Sequence, residues 1–137
     1  MKFFSSFLMG ALLVFAPTSF AATEPLTIDV SSSSASTQGN RYYTYNFGQV
    51  TINYSEWADF YLRNNGSAPL YVQGVYLQSG IAYRAWSSCP AYLYSGQQCL
   101  IQVEFRPWST GYETGRLRIQ LSTGNIYIDM SGYGSRY

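Results

Sequence analysis

The only two cysteines of the chain, Cys89 and Cys99, lie at the two ends of the segment CPAYLYSGQQC. Two thiols can form a disulfide, bind a metal or act as nucleophiles. A metal site of the usual Cys/His type needs further ligands, and the chain has no histidine. Catalysis by a Ser–His or Cys–His pair also requires that missing residue. The two cysteines therefore predict a disulfide, provided that the chain reaches an oxidising compartment.

Carboxylates are the remaining side chains with the chemistry for acid–base catalysis. Five of them could supply the carboxylate pair of a glycosidase, namely Glu56, Asp59, Glu104, Glu113 and Asp129. Glu104 and Asp129, however, alternate with apolar residues, which is typical of solvent-facing strand positions. No loop has the dense acidic spacing of an oxygen-ligand metal site. The sequence predicts a protein that is not an enzyme and that uses no metal or cofactor.

The aromatic residues are the best candidates for binding, since the chain contains 14 Tyr, 8 Phe and 3 Trp. Tyr and Trp combine an apolar ring with a polar atom, which suits protein partners and sugar rings alike. The candidate binding residues lie in or beside the loop between the cysteines, or in a tyrosine-rich segment: Tyr92, Tyr94, Trp86, Trp108, Tyr42 and Tyr43. A disulfide would order this loop before binding and so reduce the entropic cost of binding.

A structural role is the alternative for each aromatic group. Tyr92 and Leu93 are expected to plug the end of the fold, an interpretation favoured over a binding role for the loop. Trp57 and Tyr61 are expected in the core. Tyr42, Tyr43 and Tyr45 follow Arg41 directly, and for this cluster exposure and burial are equally compatible with the pattern.

The first 21 residues have the features of a secretory signal peptide. Lys2 precedes an apolar run from residue 7 to residue 15, and Ser19 and Ala21 are the small residues that precede a cleavage site. The run is shorter than the roughly 20 apolar residues needed to span a bilayer. We therefore expect a secreted or periplasmic protein in which Cys89 and Cys99 form a disulfide.

The charge of the chain argues against nucleic acid as a partner. Without Lys2, seven Arg balance seven Asp and Glu. Proteins that bind nucleic acid do so through clusters of Lys and Arg, which this sequence does not contain.

Short β-strands separated by turns account for the sequence after residue 25. Seven blocks are rich in β-branched and aromatic residues and are separated by segments containing Gly, Asn or Pro: 42–54, 57–64, 69–78, 81–87, 100–107, 115–122 and 126–132. Without helical crossovers, about seven strands predict a single antiparallel β-sandwich. Two core faces are predicted from period-2 alternation, one formed by Ile101, Val103 and Phe105, the other by Leu117, Ile119 and Leu121. Residues 22–41 are interpreted as a polar lead-in that includes a first strand at Leu26, Ile28 and Val30, and residues 42–137 as the domain.

The order of these landmarks resembles a known family. The segments FGQV (47–50), LRNNGSAPLYV (62–72), CPAYLYSGQQCLIQVEFRPWSTGYETGRLRI (89–119) and GNIYIDMSGYG (124–134) resemble the Hydin-like or ASH-type immunoglobulin-like domain of bacterial choice-of-anchor D proteins. The resemblance implies a seven-stranded immunoglobulin-like sandwich with a turn at Asn64 and Gly66 and a Cys89–Cys99 disulfide. It also implies a loop shaped by Pro107 and Gly111.

What the resemblance implies for function is noncatalytic binding, because relatives act as adhesive, scaffolding or targeting modules. We therefore expect an interaction protein of the cell envelope, with an envelope protein as its partner. The first alternative is a small carbohydrate-binding module that uses exposed Tyr and Trp. A pilus subunit is a weaker alternative, suggested by Gly124 and by the alternation of Ile126, Ile128 and Met130, although Arg136 occupies the penultimate position where such subunits have Tyr.

Overall fold

A computed structural model of the chain describes residues 25–31 and 39–137. The predicted signal peptide and part of the predicted polar lead-in lie outside these residues. Nine strands occur in the described residues: β1 (Leu26–Val30), β2 (Arg41–Thr51), β3 (Glu56–Asn64), β4 (Leu70–Ser79), β5 (Tyr83–Ser87), β6 (Tyr92–Leu93), β7 (Gln98–Phe105), β8 (Gly111–Leu121) and β9 (Gly124–Ser135). In these two ranges no helix has the length and apolar character needed to cross a membrane.

The strands form two packed sheets, which confirms the predicted β-sandwich. The smaller sheet has the order β1-β3-β7-β5, and the larger has the order β2-β9-β8-β4-β6. Five strand pairs are antiparallel, as predicted, but β1 pairs with β3 and β2 pairs with β9 in parallel. The β1–β3 pair is parallel because the chain leaves the smaller sheet after β1, forms β2 in the larger sheet and returns as β3. A sequence pattern does not specify that route.

Each of the seven predicted blocks forms a strand, with ends that shift by a few residues. The segment around Leu26 forms β1, which pairs with β3 from Leu26 opposite Phe60 to Val30 opposite Asn64. The two-residue strand β6 was not predicted, since two residues within a loop carry no periodicity. It pairs with the start of β4 and thereby attaches the loop between the cysteines to the larger sheet.

The core lies between the two sheets and contains both faces predicted from alternation. Ile101, Val103 and Phe105 of β7 are fully buried, and so are Leu117 and Ile119 of β8. Burial of such apolar side chains is the main stabilising contribution to a sandwich of this size. A group of aromatic rings fills the end of the core near β5, with contacting rings at Tyr45, Phe47, Phe60, Tyr83 and Phe105.

The lack of a side chain at Gly132 leaves room for the aromatic ring of Phe105. Gly132 lies on the inner face of β9, and a Cβ atom at this position would overlap the ring of Phe105 from the opposite sheet. Interiors are close-packed, so the ring has no vacant volume into which it could move. The glycine is therefore required by side-chain packing at this point of β9.

The prediction that Trp57 lies in the core is wrong. Ala58, Phe60 and Leu62 are the buried apolar residues of β3, so Trp57 points away from the core and is 45% exposed. Tyr61 lies on the same outward face and is half-buried. Neighbouring residues of a strand point to opposite faces, so burial of Ala58 places Trp57 on the outer face although its side chain is large and apolar.

Ionisation of the Tyr83 hydroxyl, which is buried in the folded protein, should lower the free energy of unfolding at alkaline pH. Its hydroxyl donates a hydrogen bond of 2.9 Å to the carbonyl oxygen of Glu113, and burial, with a smaller effect of the Glu113 charge, raises the pKa of Tyr83 above its ordinary value near 10. Above that pH the unfolded state loses this proton while the folded state retains it, so unfolding becomes more favourable. Stability should be fully present below pH 10 and fall as the pH rises further.

Urea unfolding of the wild type and of the Tyr83→Phe variant between pH 8 and pH 11 measures this contribution. We expect the wild type to lose more stability than the variant above pH 10, because the other tyrosines are common to both proteins. Equal slopes of stability against pH in the two proteins would contradict the assignment.

Candidate binding site

The outer face of the larger sheet carries an ordered array of tyrosine side chains. One cross-strand row consists of directly paired residues, Tyr42 on β2, Tyr127 on β9, Arg118 on β8 and Tyr76 on β4. Successive residues of a strand point to opposite faces, so these four side chains share the face turned away from the core. The row spans four neighbouring strands of the sheet.

The rings of this row are held by contacts with one another and with arginine. Tyr42 and Tyr127 stack with their ring centroids 5.2 Å apart. The guanidinium carbon of Arg116, from the adjacent row, lies 5.1 Å from the centroid of Tyr127 and 5.9 Å from that of Tyr42. Arg118 lies in the same way over Tyr76, at 5.3 Å. Cation–π contacts of this kind fix the orientation of rings that are otherwise free to rotate in solvent.

A groove lies beside this row. It has a volume of about 510 Å³, and its polar lining includes Thr44, Thr114, Arg116, Asp129 and Ser131. A second depression of about 360 Å³ shares Ser131 and is lined by Asn46, Gln49, Tyr112 and Tyr133. We refer to the two depressions together, with Tyr42 and Tyr127 at one end and Tyr112 and Tyr133 at the other, as the tyrosine trough.

The second end of the tyrosine trough is also a pair of contacting rings. Tyr112 and Tyr133 face each other across β8 and β9, with centroids 4.9 Å apart in an edge-to-face arrangement. Tyr127 and Tyr133 are six residues apart on β9, which corresponds to roughly 20 Å along a strand. The trough is therefore elongated, and aromatic rings bound both of its ends.

The charges within the tyrosine trough neutralise each other. Arg116 donates hydrogen bonds from Nε and Nη2 to the two carboxylate oxygens of Asp129, at 2.6 and 3.2 Å. The hydrogen bond with Asp129 is the largest of the effects that raise the pKa of Arg116. Bidentate geometry holds both side chains in one orientation. The floor of the trough thus carries a fixed ion pair with little net charge.

The predicted disulfide is present, and the loop that it closes divides into a buried and an exposed part. Cys89 and Cys99 are bonded, and Leu93 is fully buried against the core. Tyr92 is 54% exposed and contacts Tyr71 of β4, with ring centroids 5.2 Å apart. The predicted plug is therefore correct for Leu93 and wrong for Tyr92, because successive residues of the short β6 point to opposite sides.

The tryptophans lie on the other side of the sandwich. Trp86 of β5 and Trp57 of β3 are both about half exposed, and their rings meet above β7 with centroids 5.3 Å apart. Trp108 lines a separate small depression of about 90 Å³ together with Arg84, Glu104 and Arg106. The depression beside Trp108 is smaller than either depression of the tyrosine trough.

Three of the carboxylates considered for catalysis are engaged by other side chains. Asp129 is paired with Arg116, Glu104 accepts a hydrogen bond from Ser55, and Asp59 accepts one from Gln102. In residues 25–31 and 39–137, no three His, Cys, Asp or Glu side chains are grouped so as to hold a metal ion.

The predicted site residues are dispersed over the surface. Tyr42 lies in the tyrosine trough, whereas Tyr43 points inward and packs against the core. Tyr92 and Tyr94 lie in the disulfide loop, and Trp86 and Trp108 lie elsewhere. Tyr112, Tyr127 and Tyr133 at the ends of the trough, and Arg116 on its floor, were not among the predicted site residues. Alternation along β8 and β9 could have placed these residues outward, but only the register of the strands brings them together.

Solved structures with a similar fold share little sequence with this chain. The secreted serine protease VesC from Vibrio cholerae is 20% identical, with a TM-score of 0.52, over 65% of this chain and 21% of that chain. The protease VesB from Vibrio cholerae is 12% identical, with a TM-score of 0.54, over 68% of this chain and 30% of that chain. The ASH/PapD-like domain 7 of human CEP192 is 14% identical, with a TM-score of 0.51, over 71% of this chain and 84% of that domain.

These likenesses show a distant immunoglobulin-like β-fold. The chain spans less than a third of each Vibrio protease. No protein-family model matches the chain, and no curated protein matches its sequence.

Proposed function

We propose that the chain is a noncatalytic interaction protein of the cell envelope, secreted or periplasmic, and that the tyrosine trough is its binding surface. The proposal includes the ASH-type relationship suggested by the order of the landmarks from FGQV to the GNIYIDMSGYG segment. The disulfide supports the location, since such bonds persist in oxidising compartments and are rare in the cytosol.

The observation that carries the proposal is the composition of the outer face of the larger sheet. Exposed Tyr and Arg are the residue types most enriched at the energetic centres of binding surfaces, and here they form one array across four strands. The rings are already fixed by stacking and by Arg116 and Arg118. A surface that is ordered before binding loses less conformational entropy on binding. The same face offers a concave region beside the rings, which a purely structural face does not need.

Retention of the purified exported protein on envelope preparations of the source organism tests this role without assuming the chemistry of the partner. The double variant Tyr42→Ala/Tyr112→Ala removes one exposed ring from each end of the tyrosine trough. We expect it to bind at least about tenfold more weakly than the wild type, because exposed rings at binding centres commonly contribute more than 1 kcal/mol each.

Two single variants provide the controls. Tyr54→Ala removes a ring that is 69% exposed but lies outside the trough, and it should bind like the wild type. Tyr94→Ala tests the disulfide loop and should also leave binding unchanged. If Tyr94→Ala weakened retention and the trough variant did not, the binding surface would be the loop and the assignment of the trough would be wrong. All three variants are compared with the wild type by urea unfolding, so that loss of fold is not mistaken for loss of binding.

A further inference from the structure

We infer that the tyrosine trough binds a neutral oligosaccharide, an inference that rests on the proposed function and specifies its ligand. The sequence by itself favoured an envelope protein as the partner. The chemistry of the floor and walls of the trough matches a sugar chain more closely than it matches a protein surface.

The floor provides hydroxyl groups that other described residues do not use. Thr44, Thr114 and Ser131 line the trough, and in residues 25–31 and 39–137 their side chains form no hydrogen bonds. Each hydroxyl can donate one hydrogen bond and accept two. A sugar carries many hydroxyl groups with the same dual capacity, so each floor hydroxyl can find a partner in either direction. A protein partner with an apolar contact surface would bury these groups without satisfying them, which is unfavourable.

The walls provide apolar ring surfaces at both ends of this hydroxyl-bearing floor. A pyranose ring has a face of C–H groups, and tyrosine presents an apolar ring with a polar hydroxyl at its edge. Tyr42 is 61% exposed and Tyr112 is 83% exposed, so both rings have surface free for contact. The separation of the ends, roughly 20 Å along β9, requires a chain of several sugars to contact both. This length favours an oligosaccharide over a single sugar.

The ion pair on the floor favours an uncharged ligand. Arg116 and Asp129 satisfy each other's charge, and Arg116 uses two of its N–H groups in doing so. The remaining guanidinium donors and the remaining carboxylate lone pairs can still bond to sugar hydroxyls. On the floor, a charged sugar would leave its own charge uncompensated or would have to separate the pair. Neutral sugars avoid both costs.

The first experiment is a calorimetric titration of the exported protein with cellotetraose, xylotetraose, chitotetraose and maltotetraose, with tetragalacturonate as the acidic comparison. We expect at least one neutral tetrasaccharide to bind, and we expect Tyr42→Ala and Tyr112→Ala each to weaken that binding about tenfold. Tyr54→Ala should change it less than twofold. Binding of tetragalacturonate alone would overturn the inference.

The second experiment covers sugars that the panel does not contain. Envelope preparations are treated with protease or with periodate, which cleaves the vicinal diols of sugars, and retention of the protein is then measured at low and high salt. Retention that survives protease, is abolished by periodate and does not depend on salt supports a neutral glycan. Retention that is lost with protease and survives periodate overturns the inference, yet leaves the proposed function intact if Tyr42→Ala/Tyr112→Ala still reduces it. If the wild type and Tyr42→Ala/Tyr112→Ala are retained equally on untreated envelopes, or if neither is retained, both the inference and the proposed function are rejected.

Discussion

Replacing Asn64 by alanine should lower the free energy of unfolding by about 3 kcal/mol. Asn64 is completely buried at the end of β3. Its Nδ2 donates hydrogen bonds to the carbonyl oxygens of Ala68 and Leu93, and its Oδ1 accepts one from the backbone N–H of Gly66. Alanine removes all three bonds at once. It leaves a buried carbonyl of the disulfide loop without its donor, which is the costly case for a hydrogen bond.

The neighbouring residue offers a matched control for this prediction. Asn65 is exposed, and the one hydrogen bond recorded for it uses its backbone N–H, so Asn65→Ala should change stability by less than about 0.5 kcal/mol. Asn64→Asp retains an acceptor for Gly66 but loses both donors and places a buried carboxylate against two carbonyl oxygens, so it should be at least as unstable as Asn64→Ala. Urea unfolding at constant slope measures all three variants. A loss below 1 kcal/mol for Asn64→Ala would show that the loop does not depend on this side chain.

Removing the disulfide with Cys89→Ala/Cys99→Ala should cost about 2.8 kcal/mol in the chain-entropy treatment of a loop of this length. The bond joins residues ten positions apart, where the chain leaves β5 of the smaller sheet, forms β6 in the larger sheet and returns as β7. Without the bond the unfolded chain gains freedom, while the folded loop is still attached through β6 and Asn64. The domain should remain folded at 25 °C, with a lower unfolding midpoint.

Comparison of the oxidised wild type, the reduced wild type and the double alanine variant measures this contribution. The reduced wild type and the variant should unfold at similar urea concentrations, both below that of the oxidised protein. If the variant were as stable as the oxidised wild type, the bond would have no role in stability. Because Asn64 and the disulfide hold the same loop, combining their variants should give a loss that differs from the sum of the separate losses.

The loop between the two cysteines and the proposed binding surface lie in different parts of the fold. The sequence drew attention to Tyr92 and Tyr94 because a disulfide encloses them. In the fold this segment attaches a sheet edge to the core through Leu93, whereas the elongated trough lies across β2, β9 and β8, towards the opposite edge of the larger sheet. The loop tyrosines stay exposed, and Tyr94→Ala tests whether they also bind.

The strand pattern determined much of the fold directly. Alternation placed Ile101, Val103 and Phe105 on one buried face and Leu117, Ile119 and Leu121 on another, because a strand has a side-chain period of two and the interior excludes water. The two cysteines and the export pattern predicted the Cys89–Cys99 bond, since only one pairing exists within the chain. These inferences depend on residues close together in sequence, or on a pair with no alternative.

The tertiary structure alone decided which distant residues meet. Trp57 faces outward because β3 buries its opposite face, which carries Ala58 and Phe60. β1 lies parallel to β3 because the chain forms β2 in the other sheet between them. The tyrosine trough exists because the register of β2, β8 and β9 places Tyr42 beside Tyr127 and Tyr112 beside Tyr133. Register depends on the packing of whole sheets, whereas local sequence specifies only which side of its own strand a residue occupies.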